Sequence, residues 1–544
     1  MKFREHQTEQ KLRGGYYTPR DLASFLVRWI KPIGPRRVLE PSCGDGAFFP
    51  DVACFLDRPH LLGFEIDETE ARRSKTRLRD LGLDSAQVRG TDFLAWAADQ
   101  LPRPDVQFDA VLGNPPYIRY QYLPARFQEH AQHIFKQLAC RFTRHTNAWV
   151  PFVLASMALL RPGGRLAMVV PAEIIHVAHA QGLRSHLGRV CSRIVLVDPE
   201  ELWFEGTLQG TVLLLAEKKA HDRDAARGLA IHPVRGREFL HGDPERNFRT
   251  ARYVNGAAVA GKWTHALLEP ATRAVLQELE ERPTIRRFAE VAEVDVGIVT
   301  GANKFFLVDD DTVDRFNLDM WAHPMFGRSD HCPGVIYDAR QHAANAAQGK
   351  PTNFVWFDDA DAEHHRQARR YIRWGESQRL HTRYKCRIRR PWYTVPSVYA
   401  TEVGMLKRAH HTPRLIRNAL GAYTTDTAYR IQTLEGTADQ LVYAFLNALT
   451  ALSAELEGRH YGGGVLELVP SEIERLLLPR PACLDPDLPE LDRSVRTLSA
   501  ETMLARQTEA VLGQLGVTAG QQAELLAGWR QLRDRRHRVP RPAA

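Results

Sequence analysis

The chain has 544 residues, 44% of them hydrophobic and 25% charged, a make-up that excludes disordered and fibrous classes and allows more than one core. Its net charge of +8 favours a polyanionic partner. Seven scattered cysteines without a CxxC pair, a first decapeptide with no apolar signal core, and a longest apolar run (152–160) too short for a bilayer argue against a disulfide scaffold, a metal site and a membrane span. They predict a soluble chain of the reducing cytoplasm.

Over roughly the first 220 residues, apolar runs at 37–39, 60–66, 108–112, 165–170, 193–197 and 211–215 alternate with helix-like stretches. This rhythm predicts an α/β sheet with helices on both faces. Pro162-Gly163-Gly164 is expected to turn just before the 165–170 strand, and the charged segment 217–227 to be an exposed loop. Beyond residue 240, Pro, Gly and aromatic residues break up short segments and arginines cluster. The expected organisation is a catalytic domain at 1–240, a connector at 241–284 and a second domain at 285–544. The basic, proline-punctuated stretch 530–541 is expected to be frayed.

The first apolar run leads into Glu40-Pro41-Ser42-Cys43-Gly44-Asp45-Gly46, a glycine-bearing loop that suits close approach of backbone to a ligand. Roughly twenty residues on, Glu65-Ile66 ends a second run, where an acidic side chain grips ribose hydroxyls in doubly wound sheets. After a third strand end, Asp92 is suited to accept from an adenine amino group and Phe93 to stack on the ring. The phosphate fingerprint GxGxxG is missing here, so the set favours a nucleoside without phosphates, such as S-adenosyl-L-methionine. A carboxylate such as Glu40 or Asp45 complements its sulfonium.

Asn114-Pro115-Pro116-Tyr117 follows the 108–112 run and so falls at a strand's carboxyl end, where open α/β sheets bind ligands. The amino nitrogen of adenine is a poor nucleophile because its lone pair is delocalised into the ring. The Asn114 side-chain oxygen and the Pro115 carbonyl can accept its two hydrogens and favour the tetrahedral nitrogen of the transition state. Pro116 stiffens the loop, and Tyr117 offers a face on which a base stacks for roughly 1–3 kcal/mol. A paired adenine cannot reach such a pocket, so the base must be flipped out.

With Gly14-Gly15-Tyr16-Tyr17-Thr18-Pro19 ahead of these elements, the chain resembles the gamma class of amino-methylating DNA methyltransferases, the TaqI type. The resemblance implies a Rossmann-like class I methyltransferase domain with a seven-stranded mixed sheet, followed by an α+β target-recognition domain. It implies that Tyr17, Thr18 and Pro19 cover the methionine end of the cofactor, that Glu40, Glu65, Asp92 and Phe93 hold it, and that Asn114, Pro115 and Tyr117 hold the base. A second aromatic that sandwiches the flipped adenine is expected at Phe204, before the 211–215 strand. Gly297-Ile298-Val299-Thr300-Gly301-Ala302-Asn303-Lys304 opens the second domain as in many modification methylases, and the segment 455–468 and Pro470-Ser471-Glu472 are similar to the C-terminal part of modification methylases of the XhoI and PaeR7I type. That similarity implies a monomeric modification enzyme of a type II restriction–modification system acting on double-stranded DNA, beside a separate cognate endonuclease, and hints at CTCGAG.

Between Arg366 and Arg390 ten arginines and lysines are opposed by Glu376 alone, with Tyr371, Trp374, Tyr384, Trp392 and Tyr393 within or beside them. Such density suits phosphate neutralisation. Arg383, Lys385, Arg387, Arg389, Arg390, Trp392 and Tyr461 are the expected DNA contacts, with Asn303 and Arg417-Asn418 of undefined role. Tyr461-Gly462-Gly463-Gly464 fits either close approach to DNA or a plain loop. The tetrapeptide also occurs in enzymes that methylate protein glutamine or RNA guanine, but those lack a long arginine-rich extension. Cytosine-ring methylation needs a Pro-Cys nucleophile, and the prolines near Cys43 and Cys332 stand in the wrong order or context. A nuclease-bearing fusion and a catalytically silent DNA-binding subunit are the remaining alternatives; no paired-carboxylate-plus-lysine site supports the first, and the intact tetrapeptide opposes the second.

Overall fold

The computed structural model describes residues 18–537 except 104, 119, 144–145, 202, 204–209, 257–258, 260, 358–363 and 462. They fall into two compact units, one ending at Leu267 and one running Leu268–His537.

In the first unit, β1 (Arg37–Glu40), β2 (His60–Phe64), β3 (Gln87–Arg89), β4 (Phe108–Gly113), β5 (Leu160–Pro171), β6 (Cys191–Pro199), β7 (Thr211–Lys218) and β8 (Gly228–Val234) form one sheet in the order β3-β2-β1-β4-β5-β7-β6-β8. β3, β2, β1, β4 and β5 are mutually parallel, β7 runs antiparallel to β5 and β6, and β8 is parallel to β6. The mixed α/β architecture stands, but where seven strands are expected the described residues form eight. β8 covers the open backbone edge of β6 and buries Leu229 and Ala230. Pro233 lies within it, a residue that sheets admit at edges. Pro162-Gly163-Gly164 lies inside β5 as a bulge, where the register on β4 jumps from Phe108↔Leu160 to Ala110↔Arg165. A Cβ on Gly164 would stand 2.9 Å from the Arg161 and Asp109 carbonyl oxygens, so only glycine fits.

Successive residues along each strand point to opposite layers. Leu39, Val111, Leu166, Met168 and Val170 face one core, while Val38, Ala110, Leu112, Ala167 and Val169 face the other. The second core is covered by α1 (Arg20–Ile30), whose Leu22, Phe25, Leu26, Trp29 and Ile30 recur at helical spacing, and by α2 (Glu68–Asp80), capped by Asp67. The first core is covered by α3 (Phe93–Gln100), α4 (Ala125–Gln137), α5 (Trp149–Ala158) and α6 (Gln181–Val190). Burying each large apolar side chain contributes roughly 1.5–3 kcal/mol.

The segment expected as a connector divides between the two units. Residues 241–267 pack into the first unit: Phe248 meets Trp29 edge to face at 5.1 Å, and Glu245 pairs with buried Arg165 at 2.6 Å. Residues 268–284 belong to the second unit.

The second unit combines helices with small, mostly antiparallel sheets. One joins Ala292–Val296, Ala428–Thr433, Val403–Leu406, Leu415–Asn418 and Ile336–Tyr337 in that order. Its helices include α7 (Arg366–Ser377), α8 (Tyr384–Arg387), α9 (Ala448–Glu457), α10 (Ala500–Gln514) and α11 (Ala519–His537). The stretch expected to fray from residue 530 is helical to His537. Arg536 is wholly buried against Glu455 of α9 at 2.6 Å. Burial opposes ionisation of Glu455, yet Arg536 and His460 hold its carboxyl below the ordinary range.

Candidate active site

The carboxyl ends of β1, β2, β4 and β5 open on one edge of the first sheet. β1 and β4 are neighbours although far apart in sequence, so their loops diverge into a crevice at a topological switch point.

The 41–46 loop is tied down at both ends. Cys43 N–H donates to the Phe64 carbonyl at 2.9 Å, and Gly46 N–H to the Cys43 carbonyl at 2.8 Å. Gly44 and Gly46 take φ of +52° and +83°, in the left-handed region. A Cβ on Gly46 would lie 2.4 Å from the Phe49 ring.

Three carboxyl groups line this loop. Glu40 is buried, 1% exposed, and its Oε2 has no hydrogen-bond partner among the described residues. Burial first, then the Asp45 and Glu65 charges, push its carboxyl well above the ordinary carboxylate range. Glu65 accepts from Gly44 N–H at 3.0 Å and Asp67 N–H at 2.8 Å; burial raises it despite these bonds. Asp45 pairs with Arg77 at 3.2 Å. A buried carboxylate oxygen with no partner, in an acidic surround, fits a cationic ligand. Beside Glu65, Ile66 is 72% exposed and forms an apolar ledge.

Of the two residues expected at the third strand end, one keeps a free oxygen for a ligand and one does not face outward. Asp92 caps α3, accepting from Leu94 N–H at 2.9 Å, which commits one oxygen to the helix. Phe93 was expected to stack on an adenine ring, but it is buried among Phe64, Trp96 and Phe152 at 5.3–6.2 Å between centroids. It is the first residue of α3 and belongs to the core that this helix covers.

The tetrapeptide is held from several sides. Ser42 Oγ donates to the Asn114 carbonyl at 3.1 Å, joining the β1 and β4 loops. Asn114 Nδ2 donates to Thr18 Oγ1 at 3.3 Å, so Thr18 reaches the first residue of the tetrapeptide. The Tyr117 hydroxyl lies 2.8 Å from Asn114 Oδ1 and 3.1 Å from the Val169 carbonyl of β5. Its ring, expected to stand open as a plate, is partly buried against the core that α3, α4 and α5 share. Pro115 and Pro41 are buried and Pro116 is half-buried, with Pro19 capping α1. Tyr17 and Phe204 lie outside the described residues.

Sequence reasoning missed Glu173. It follows β5, and its Oε1 accepts from Trp149 Nε1 at 3.1 Å and Asn147 Nδ2 at 3.3 Å. Between those donors, Ala148 N–H donates to the Ile118 carbonyl at 2.9 Å. Glu173 thus anchors the start of α5, which in turn holds the residue after Tyr117. No local signal marks it: Ala172 separates it from the strand-ending Pro171, and both of its donors come from the start of α5.

In the second unit the expected DNA contacts separate. Arg383, Lys385, Arg387 and Arg390 are exposed. Arg389 instead donates to the Thr300 carbonyl at 2.8 Å and to the Val299 carbonyl, so its guanidinium serves the fold. Trp392 donates to Glu376 at 3.2 Å and packs on Phe305; Tyr371 and Tyr393 are core residues. Asn303 bonds to Thr300, Asn418 braces the backbone at Thr401 and Ala422, and Arg417 pairs with Asp439. The side chain of Tyr461 lies outside the described residues. A Cβ on Gly464 would meet the His537 ring at 2.7 Å, so this glycine accommodates α11. Among the described residues no group of three or more His, Cys, Asp or Glu could hold a metal, and no helix is long and apolar enough to cross a membrane.

Residues 3–230 match the family described as N-6 DNA Methylase, and residues 260–512 match that described as Type II methyltransferase M.Eco57I, C-terminal domain. Type II methyltransferase M.AccI of Acinetobacter calcoaceticus is 21% identical over 476 residues, covering 85% of this chain and 84% of its own. Type II methyltransferase M.XamI of Xanthomonas campestris pv. amaranthicola is 22% identical over 480 residues, covering 86% and 85%. Type II methyltransferase M.PaeR7I of Pseudomonas aeruginosa is 24% identical over 348 residues, covering 56% and 58%.

Proposed function

We propose that this chain, a DNA methyltransferase joining an N-6 DNA methylase domain to an M.Eco57I-type C-terminal domain, methylates the exocyclic amino nitrogen of an adenine flipped out of double-stranded DNA, with S-adenosylmethionine as donor. The observation that carries this reading is a junction of two strand ends: the Asn114 carbonyl after β4 is bonded by Ser42 of the loop after β1, whose last residue, Glu40, has an Oε2 with no partner among the described residues.

When bound, S-adenosylmethionine supplies an electrophilic methyl on a positive sulfonium. Glu40 and Asp45 contribute the negative field that favours such a cation. Glu65, whose oxygens keep lone pairs beyond the two backbone bonds, receives ribose hydroxyls, and Ile66 gives the nucleoside base an apolar ledge. Asn114 Oδ1 and the Pro115 carbonyl accept the two amino hydrogens and draw the nitrogen lone pair out of the ring. Because Asn114 Oδ1 is engaged by the Tyr117 hydroxyl, Tyr117 must release it as the base enters, and the freed ring becomes the stacking face. Exposed Arg383, Lys385, Arg387 and Arg390 supply phosphate contacts. In this reading the chain works as a monomer, and protects DNA from a separate cognate endonuclease.

Single-molecule sequencing of host DNA with and without the gene tests the function. Methylated adenine at one sequence, lost with the gene and with Asn114→Ala, is expected; unchanged adenine methylation overturns the reading.

A further inference from the structure

The second unit carries an exposed apolar pair inside a basic surface. Tyr384 opens α8 and Ile388 follows its last residue, a spacing of four that puts both on one face. They are 64% and 60% exposed. Clustered apolar side chains left this open on a folded surface mark contact sites.

The rim is positive. Arg383, Lys385, Arg387 and Arg390 are exposed, and none forms an ion pair with a carboxylate among the described residues. The Arg387 and Lys385 cations lie 5.6 and 5.9 Å from the Tyr384 ring centroid. The platform is anchored: Cys386 of α8 is buried in the core, and Arg389 fastens the adjoining turn through the Val299 and Thr300 carbonyls. Gly301 lies so close that a Cβ there would be 2.5 Å from Lys385 Cβ. Val299, in that same turn, is also exposed.

We propose that Tyr384 and Ile388 form an apolar wedge that packs against the bases of the target duplex while the surrounding cations hold its phosphates. This rests on the DNA-methyltransferase reading above. A positive ring around a neutral centre complements a duplex, which is anionic outside and apolar between its base pairs. Extracting an adenine costs stacking and pairing. An aromatic or branched aliphatic side chain placed at the disturbed step offsets part of that cost.

The test uses the full chain and the methylated sequence mapped in host DNA, with 2-aminopurine at the target position. Tyr384→Ala/Ile388→Ala changes two exposed side chains, and an unaltered melting midpoint checks its fold. The double variant is expected to lose roughly ten- to hundredfold in affinity for this duplex and most of the fluorescence rise that reports flipping. Its affinity for a scrambled duplex, and the slope of log affinity against log salt, should match wild type, because no phosphate contact is removed. Tyr384→Phe should restore the fluorescence. Wild-type affinity and fluorescence in the double variant would overturn the wedge, as would equal losses on cognate and scrambled duplexes. A host with no adenine methylation traceable to this gene would overturn the enzyme reading itself, and the wedge with it.

Discussion

Replacing Glu40 by glutamine separates two effects that the wild-type side chain combines. The carboxyl is buried, has a partnerless Oε2, and sits near Asp45 and Glu65. Above its raised folded pKa, the protein without cofactor bears an uncompensated buried charge. Removing that charge should stabilise the cofactor-free first unit by about 1–3 kcal/mol, the usual cost of an unsatisfied buried polar group, and raise its melting midpoint by about 2–4 °C per kcal/mol. The pH dependence has a definite sign. Glu40's pKa is raised on folding, so the unfolded chain ionises first as pH rises past the ordinary carboxylate value. The penalty therefore grows above that value and levels off beyond the folded pKa. The gain from Glu40→Gln should grow as pH rises past the ordinary carboxylate value and vanish below about pH 4. Cofactor binding should move the other way. Opposite unit charges about 4 Å apart attract by about 4 kcal/mol at an effective dielectric of 20, and desolvation offsets part of this. An affinity loss of about ten- to hundredfold for S-adenosylmethionine is expected, and a smaller one for S-adenosylhomocysteine, which lacks the sulfonium charge. Differential scanning calorimetry at two pH values and isothermal titration calorimetry with both ligands read these effects. A variant less stable than wild type at pH 8 that binds S-adenosylmethionine normally would refute the reasoning.

Asn114→Ala should abolish methyl transfer while cofactor affinity stays within about twofold, because only one of the acceptors for the amino group is removed; single-turnover assays beside cofactor titration check both halves. Tyr117→Phe should keep activity within about fivefold, since it loses only a hydrogen bond worth about 1 kcal/mol, whereas Tyr117→Ala should blunt 2-aminopurine fluorescence at the target. Equal behaviour of the two variants would place Tyr117's role in its hydroxyl. Glu173→Ala strands Trp149 Nε1 and Asn147 Nδ2, at about 1–3 kcal/mol each. It should lower kcat with little change in KM for cofactor, while Glu173→Gln, which retains an acceptor, rescues. A wild-type kcat in the alanine variant would remove Glu173 from the loop's support.

The βα rhythm placed Glu40, Glu65 and Asn114 at strand ends, and the parallel order of β3, β2, β1, β4 and β5 brings those ends together. What stayed hidden depends on partners distant in sequence. Phe93 reads equally as a stacking ring or a core ring until Phe64 and Phe152 are known to surround it. Arg389 has the same composition signal as Arg387, but only the fold brings Val299 and Thr300 to it. Tyr371 and Tyr393 fall within or beside the arginine-rich run, yet α7 turns Tyr371 inward, where it stacks on Phe305. β8 was obscured by its proline and histidine, which suit an edge strand but break an apolar run. Glu173 carries no local mark of its role because both donors come from the start of α5.

The Arg536–Glu455 pair bears on how the polypeptide matures on the ribosome. Removing one member of such a buried pair costs about 3–5 kcal/mol, because the other is left as a bare interior charge. The first unit's sheet has its eight described strands by Val234 and can close early in translation, as N-terminal domains generally do. α9 emerges much sooner than the guanidinium that neutralises its carboxylate, so the second unit gains its full stability only when synthesis reaches the closing turn of α11.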